Sequence, residues 1–242
     1  NSSSFTLIVT NGGSATLTWP TSVDWAAATA PTLTSSGVDV LITTLRDSID
    51  KEVLEAGKQT LKLIAQDAVG FDNIDRDTAN KYKIPFTNTS EVLTEATAEF
   101  AFLMLGCVSR KLYSSERLVR ELQWKTWHPF LPFLGDEVTG KTVAVIGTGR
   151  IGQAFIKKCM GFDMDVLCYD PIFQDHNFIE SFCKLADLKF ELGLSNRLLT
   201  IRYTDFEDAL RNADYVSLHV PLTSKTHHLV NSNALEQMRS TA

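Results

Sequence analysis

Residues 142–155 read TVAVIGTGRIGQAF, so that Gly147, Gly149 and Gly152 stand in a G-x-G-x-x-G spacing between an apolar run and a helical pattern. Glycines at that spacing also mark ordinary turns, and alone they say little. A strand directly before them and a helix directly after them specify a strand–turn–helix unit whose helix N-terminus can face a phosphate. Gly147 would permit the tight turn, Gly149 the approach of backbone to a pyrophosphate, and Gly152 the close packing of helix on strand. The next strand, DVLCY, leads into Asp170. A carboxylate there can accept hydrogen bonds from both hydroxyls of an adenosine ribose and would repel a 2′-phosphate, which favours NAD over NADP. The blander alternative is a structural glycine turn, with Asp170 a turn residue before Pro171.

The same alternation runs through the chain, and short β-rich runs separated by helical patterns argue for parallel sheets covered by helices. Before the glycine motif, strands are expected over 5–10, 38–43, 61–66 and 84–88. Helices are expected over 48–58 and 73–81, with Asp47 or Ser48 capping the first. Residues 11–37, rich in Thr, Ser and Ala, take no firm assignment. A long helical pattern covers about 92–122, with Leu93, Ala96, Phe100, Leu103 and Cys107 at spacings of three and four as its buried stripe. After the aromatic stretch WKTWHPFLPFLG, strands are expected over 142–146, 165–169, 199–203 and 215–220. The fold class is α/β, with two doubly wound parallel-sheet domains at 1–91 and 92–242 joined through the long helix.

Several function classes recede on composition. A net charge of −6, from 23 basic and 29 acidic residues, gives no electrostatic reason to expect nucleic acid or an anionic membrane surface as partner. The most apolar run, 100–108, is too short to span a bilayer and reads as the buried middle of a helix. Cys107, Cys159, Cys168 and Cys183 form no C-x-x-C pair. They read as buried free thiols in a reducing compartment, with neither a zinc site nor a disulfide framework, so no metal is expected. The N-terminal residues lack the basic and apolar regions of a secretory signal, and the protein is read as cytoplasmic.

Four motifs together resemble the D-2-hydroxyacid dehydrogenases, a family that includes glyoxylate, hydroxypyruvate and phosphoglycerate members. They are LKLIAQDAVGFDNID (61–75), NTSEVLTEATAEFAFLML (88–105), GKTVAVIGTGRIG (140–152) and SLHVPLTSKTHHLVN (217–231). The resemblance implies a flavodoxin-like substrate domain followed by a Rossmann NAD domain. Val69 and Gly70 would offer backbone N–H groups to the carboxylate of a small 2-keto or 2-hydroxy acid, with Leu93 and Thr97 near substrate and cofactor. The amides of Arg150 and Ile151 would meet the pyrophosphate, Val220 and Pro221 would flank the adenine, and Thr226 would sit near the phosphates.

Each position has a bland counterpart. Val69 and Gly70 could be a plain strand-to-helix turn, and Thr97 a helix-interior Thr bonding back to a carbonyl. His219 reads as a strand-end residue and His227 and His228 as loop surface, so none of the five histidines is taken as the general acid. The chain also departs from the family pattern. Asp67 stands where relatives carry an uncharged residue and would oppose an anionic substrate if it points into the cleft. Ser90 and Glu91 replace a Pro-Gly or Pro-Asp pair, and 172–200 is longer than the usual connection and matches poorly.

In the family a substrate-clamping Arg, a proton-donating His and a Glu that orients it follow the position of Ala242. The NAD domain is thus expected to be incomplete here, with four strands of about six, and the chain as it stands to be catalytically dead or nearly so. The expected activity of the family is hydride transfer between nicotinamide and a small D-2-hydroxy or 2-keto acid, with glyoxylate or hydroxypyruvate reduction preferred. The alternatives are an NAD-sensing dimeric scaffold like the C-terminal-binding-protein corepressors, or a truncated protein that binds NAD without turnover. HVP at 219–221, where the corepressors would have H-C-G, favours the enzyme. Relatives are usually homodimers, with Trp124, Trp127, Phe130 and Phe133 placed at the contact; burial within the monomer would explain the same residues.

Overall fold

The computed structural model describes residues 7–10, 38–126 and 134–242, of which 7–10 and 38 are described as backbone only. The chain divides into two compact units, 1–93 and 94–242. Trp127, Phe130, Phe133 and the unassigned 11–37 lie outside the described residues.

In the first unit, β1 (Leu7–Thr10), β2 (Val38–Thr43), β3 (Leu61–Gln66) and β4 (Phe86–Thr87) form a sheet in that order. β2, β3 and β4 are parallel, whereas β1 pairs antiparallel with β2. An antiparallel edge on a parallel sheet is common, and apolar patterning does not encode strand direction. Helices α1 (Lys51–Gly57) and α2 (Arg76–Tyr82) bring Val53, Leu54 and Ala79 into one core with Leu41, Ile64 and Ile74, which precedes α2. The cap of α1 is Asp50, not Asp47 or Ser48: its carboxylate accepts the N–H groups of Glu52 and Val53. Asp47 is engaged upstream, accepting from the Thr44 amide at 2.6 Å and the Thr44 hydroxyl.

The second unit opens with α3 (Thr94–Ser109) and α4 (Leu112–Arg120), so the expected long helix is two. The break is at Lys111, which takes a left-handed φ of 49° and starts a new helix. The expected stripe is also corrected. Phe100 and Leu103 are 64% and 62% exposed, and the packed face is Ala98, Ala101, Phe102 and Leu105, with Ser109 buried below them. The run 100–108 is apolar on both sides of the helix, so periodicity alone could not select the face.

The second sheet is parallel throughout. β5 (Thr142–Ile146), β6 (Asp165–Tyr169), β7 (Ile201–Tyr203) and β8 (Tyr215–Leu218) lie in the order β7-β6-β5-β8. Val143 to Ile146 are fully buried, as a central strand covered on both faces requires. Helix α5 (Arg150–Gly161) packs Phe155, Ile156, Cys159 and Met160 beneath α3. The poorly matching stretch 172–200 is mostly a helix, α6 (His176–Glu191), capped by Asp175 and packed through Phe182 and Ala186. Its far end is held by Lys189, which meets the Met160 carbonyl and Asp163, and by Arg197 on Asp165. Helices α7 (Phe206–Asn212) and α8 (Ser232–Gln237) complete the unit.

Candidate dinucleotide site

The chain runs outward from β5 to β6 and β7, then returns to the other side of β5 as β8. The carboxyl ends of β5 and β8 therefore flank a topological switch point, where a doubly wound sheet holds its ligand. The glycine motif occupies this point. Gly147 has φ +95°, and a Cβ on it would lie 2.7 Å from the His219 carbonyl oxygen and 2.9 Å from Val220 Cγ1. Only glycine lets the β5 turn lie this close to the end of β8. A Cβ on Gly152 would collide with the carbonyl oxygen of Gly147, so the start of α5 also rests directly on the turn. Gly149 differs: a Cβ there would meet nothing within 4 Å.

That open face lies at the N-terminus of α5. Gly149 is its N-cap and brings no side chain to the first turn, which also carries no acidic residue. First-turn amides of a helix lack intrahelical acceptors and carry the positive end of its dipole, so this arrangement suits a pyrophosphate. Arg150, Ile151 and Gly152 are the residues of that turn.

Asp170 closes the site on the β6 side. One carboxylate oxygen, Oδ2, accepts the Thr148 amide at 2.9 Å; the other, Oδ1, accepts the amides of Ile172 and Phe173 at 3.0 and 2.9 Å. Asp170 thus shapes both the glycine turn and the loop that follows β6. Thr148, fully buried, donates its hydroxyl to the Phe173 carbonyl at 3.0 Å, and its Oγ1 lies 3.2 Å from Tyr203 Oη. Neither Thr148 nor Tyr203 stood out in the sequence. Thr148 fills an unspecified position of the glycine motif, and Tyr203 is brought to it only by the pairing of β7 with β6.

Val220 and Pro221 follow β8 directly, and Val220 packs with Tyr169, Phe206 and Leu229 around Ile146 and Leu167. This is an apolar surface next to Asp170, as an adenine would need. The Thr226 hydroxyl is engaged in its own loop, 2.5 Å from the Pro221 carbonyl and 2.8 Å from the Thr223 amide. His219 Nε2 is 2.9 Å from Ser217 Oγ, its ring packs on Phe155, and burial lowers its pKa to about 4. His227 and His228 stack on one another in the exposed loop beyond. Thr97 lies near the start of α3, half-buried.

The first unit carries the turn of Val69 and Gly70. Buried Gln66 accepts the Thr43 hydroxyl and donates to the Gly70 carbonyl at 3.1 Å and to Asn73 Oδ1 at 2.8 Å. Asn88 donates to the Val69 carbonyl at 2.8 Å, and the Thr89 amide to that of Ala68 at 3.0 Å. Three successive carbonyls are thereby turned into the unit. The Val69 and Gly70 amides have no acceptor among the described residues. Asp67 is exposed beside this turn, and Leu93 is the last residue of the unit.

Residues 102–242 match the family model of the D-isomer specific 2-hydroxyacid dehydrogenase NAD binding domain. A glyoxylate reductase of Korarchaeum cryptofilum is 42% identical over 205 residues, 84% of this chain and 56% of that protein. Another, from Thermococcus litoralis, is 41% identical over 209 residues, 85% of this chain and 57% of that protein. Among solved structures, a D-lactate dehydrogenase from Aquifex aeolicus complexed with NAD and lactic acid superposes with a TM-score of 0.70 at 30% identity, covering 83% of this chain and 53% of that one. The TT0316 protein from Thermus thermophilus gives 0.68 at 36% identity, covering 82% and 56%. The chain thus spans little more than half the length of these relatives.

Proposed function

The chain belongs to the D-isomer specific 2-hydroxyacid dehydrogenase family, its residues 102–242 matching the NAD-binding domain, and on that premise we propose that the whole protein reduces a small 2-keto acid, glyoxylate or hydroxypyruvate, to the corresponding 2-hydroxy acid, of D configuration where the product is chiral. When bound, the reduced cofactor, NADH, would supply the hydride and leave as NAD. The observation that carries this reading is the glycine turn seated on the end of β8 and tied through Thr148 to Asp170, a site built for a dinucleotide. The chain's own residues bind and orient. The first-turn amides of Arg150 and Ile151 hold the pyrophosphate, Asp170 holds the adenosine ribose, and Val220 and Pro221 flank the adenine. Thr226 fixes the loop after β8, and Thr97 lies near the nicotinamide end. In the first unit, the Val69 and Gly70 amides take the substrate carboxylate, with Leu93 near the substrate.

In this reading residues 1–91 belong to the substrate domain and 92–242 to the cofactor domain. On the same reading no residue of the chain serves as proton donor or carboxylate clamp, and the chain spans 56% and 57% of the lengths of the two relatives. A homodimer is supported by the apolar face that α3 and α4 leave open at Phe100, Leu103, Val108, Leu112 and Tyr113. A cytoplasmic setting is supported by the four free thiols, and among the described residues no helix is long and apolar enough to cross a membrane.

The test is NADH oxidation by the full-length protein with a panel of 2-keto acids. Turnover of glyoxylate or hydroxypyruvate is expected; NADH binding without turnover of any keto acid would replace this reading with the nucleotide-sensing scaffold.

A further inference from the structure

Tyr203 occupies a place that the dinucleotide motif does not explain. Its Oη accepts the Asp175 amide at 2.9 Å and lies 3.2 Å from Thr148 Oγ1. Thr148 spends its own proton on the Phe173 carbonyl, so the phenol donates to Thr148. The result is a continuous chain: Tyr203 O–H to Thr148 Oγ1, Thr148 O–H to Phe173 C=O, and Asp175 N–H back to Tyr203 Oη. One end of it lies in the glycine turn and the other at the N-cap of α6, where Asp175 accepts the Phe178 amide. His176, itself exposed, sets its ring edge-on to Tyr203 at 5.5 Å. Burial raises the phenol's pKa, so it stays protonated and able to donate at neutral pH.

The loop this chain fixes, 171–175, follows Asp170, whose Oδ1 already holds two of its amides. We propose that Tyr203 is a positioning residue for the adenosine half of the dinucleotide, locking the 171–175 loop to the glycine turn before the cofactor arrives. The proposal rests on the NAD reading above. A loop ordered in advance does not have to be ordered on binding, and that cost otherwise comes out of affinity.

Two measurements on the full-length protein decide the matter. The first compares the wild type with Tyr203→Phe, which keeps the ring and deletes the hydroxyl, for affinity toward NADH, AMP and reduced nicotinamide mononucleotide. Affinity for NADH and AMP is expected to fall by about threefold to tenfold, the scale of one hydrogen bond, while affinity for the mononucleotide stays unchanged. A purely structural role would lower all three together or none, and either pattern overturns the proposal. The second measurement needs no variant and holds even if Tyr203→Phe does not fold. Amide hydrogen exchange of the cofactor-free wild type should show Ile172, Phe173 and Asp175 protected. Free exchange at these amides, with protection only after NADH is added, would overturn the lock. Wild type that binds neither NADH nor AMP would instead overturn the NAD reading itself.

Discussion

The Thr148 amide donates to Asp170 Oδ2 at 2.9 Å, so the carboxylate expected to hold the ribose also holds the glycine turn. With Ile172 and Phe173 on Oδ1, three of about four acceptor positions on a carboxylate are in use. One remains, on Oδ2. Asp170 can therefore grip one ribose hydroxyl without giving up a bond of its own. Affinities for 2′-deoxy-NAD and 3′-deoxy-NAD should differ, one analogue losing about fivefold to tenfold against NAD and the other little. Equal losses would show that the carboxylate takes both hydroxyls and that the turn rearranges on binding.

Substitution at Gly152 tests the packing of the turn. A Cβ there meets the Gly147 carbonyl oxygen, which is backbone and cannot swing aside. Gly152→Ala should cost roughly 2–4 kcal/mol of stability, read as a lowered denaturation midpoint, and should abolish NAD binding. Gly149→Ala is the control. Its Cβ meets nothing in the protein, so the fold should persist while the pyrophosphate loses room. Normal NAD binding by Gly149→Ala would place the phosphates elsewhere.

His219 gives the second unit a dependence on pH. Burial brings its pKa from 6.5 down to about 4, so the folded state resists a proton that the unfolded state accepts. Its contribution is complete above about 6.5 and is lost as pH falls from there toward about 4. The loss is on the order of 2 kcal/mol, discounted from the full shift because the ring keeps some contact with solvent. Denaturation midpoints between these pH values should fall in the wild type and flatten in His219→Gln. Parallel curves for the two proteins would contradict the assignment.

The thiols should separate by burial. Cys159 and Cys168 are fully buried, and desolvation raises both pKa values, that of Cys168 to about 12, so neither offers thiolate at neutral pH. A thiol reagent should label both only after unfolding, whereas half-buried Cys107 should react in the native state. Native labelling of Cys159 or Cys168 would mean that the α5–β6 layer opens readily.

Sequence patterns located the central strands of the second unit better than they located the helices. β5 and β6 fell at the expected residues because a central strand buried on both faces leaves an unbroken apolar run ended by a turn. The Asp170 carboxylate and the glycine turn were legible for the same reason. The α3 face was not, since Phe100 and Phe102 are equally apolar and only the partner, α5, selects between them. The break at Lys111 has no Gly or Pro to announce it. Tyr203 and Thr148 were invisible because they are 55 positions apart and meet only once β5, β6 and β7 have paired.

In the proposed function the glycine turn and Asp170 of this chain hold NAD. Titration of NADH fluorescence with wild type and Asp170→Ala tests it most directly. Saturable binding is expected for the wild type, weakened at least about tenfold in Asp170→Ala, which loses both the ribose contact and the acceptor for Thr148. No saturable binding by the wild type, or binding that ignores Asp170, would contradict it.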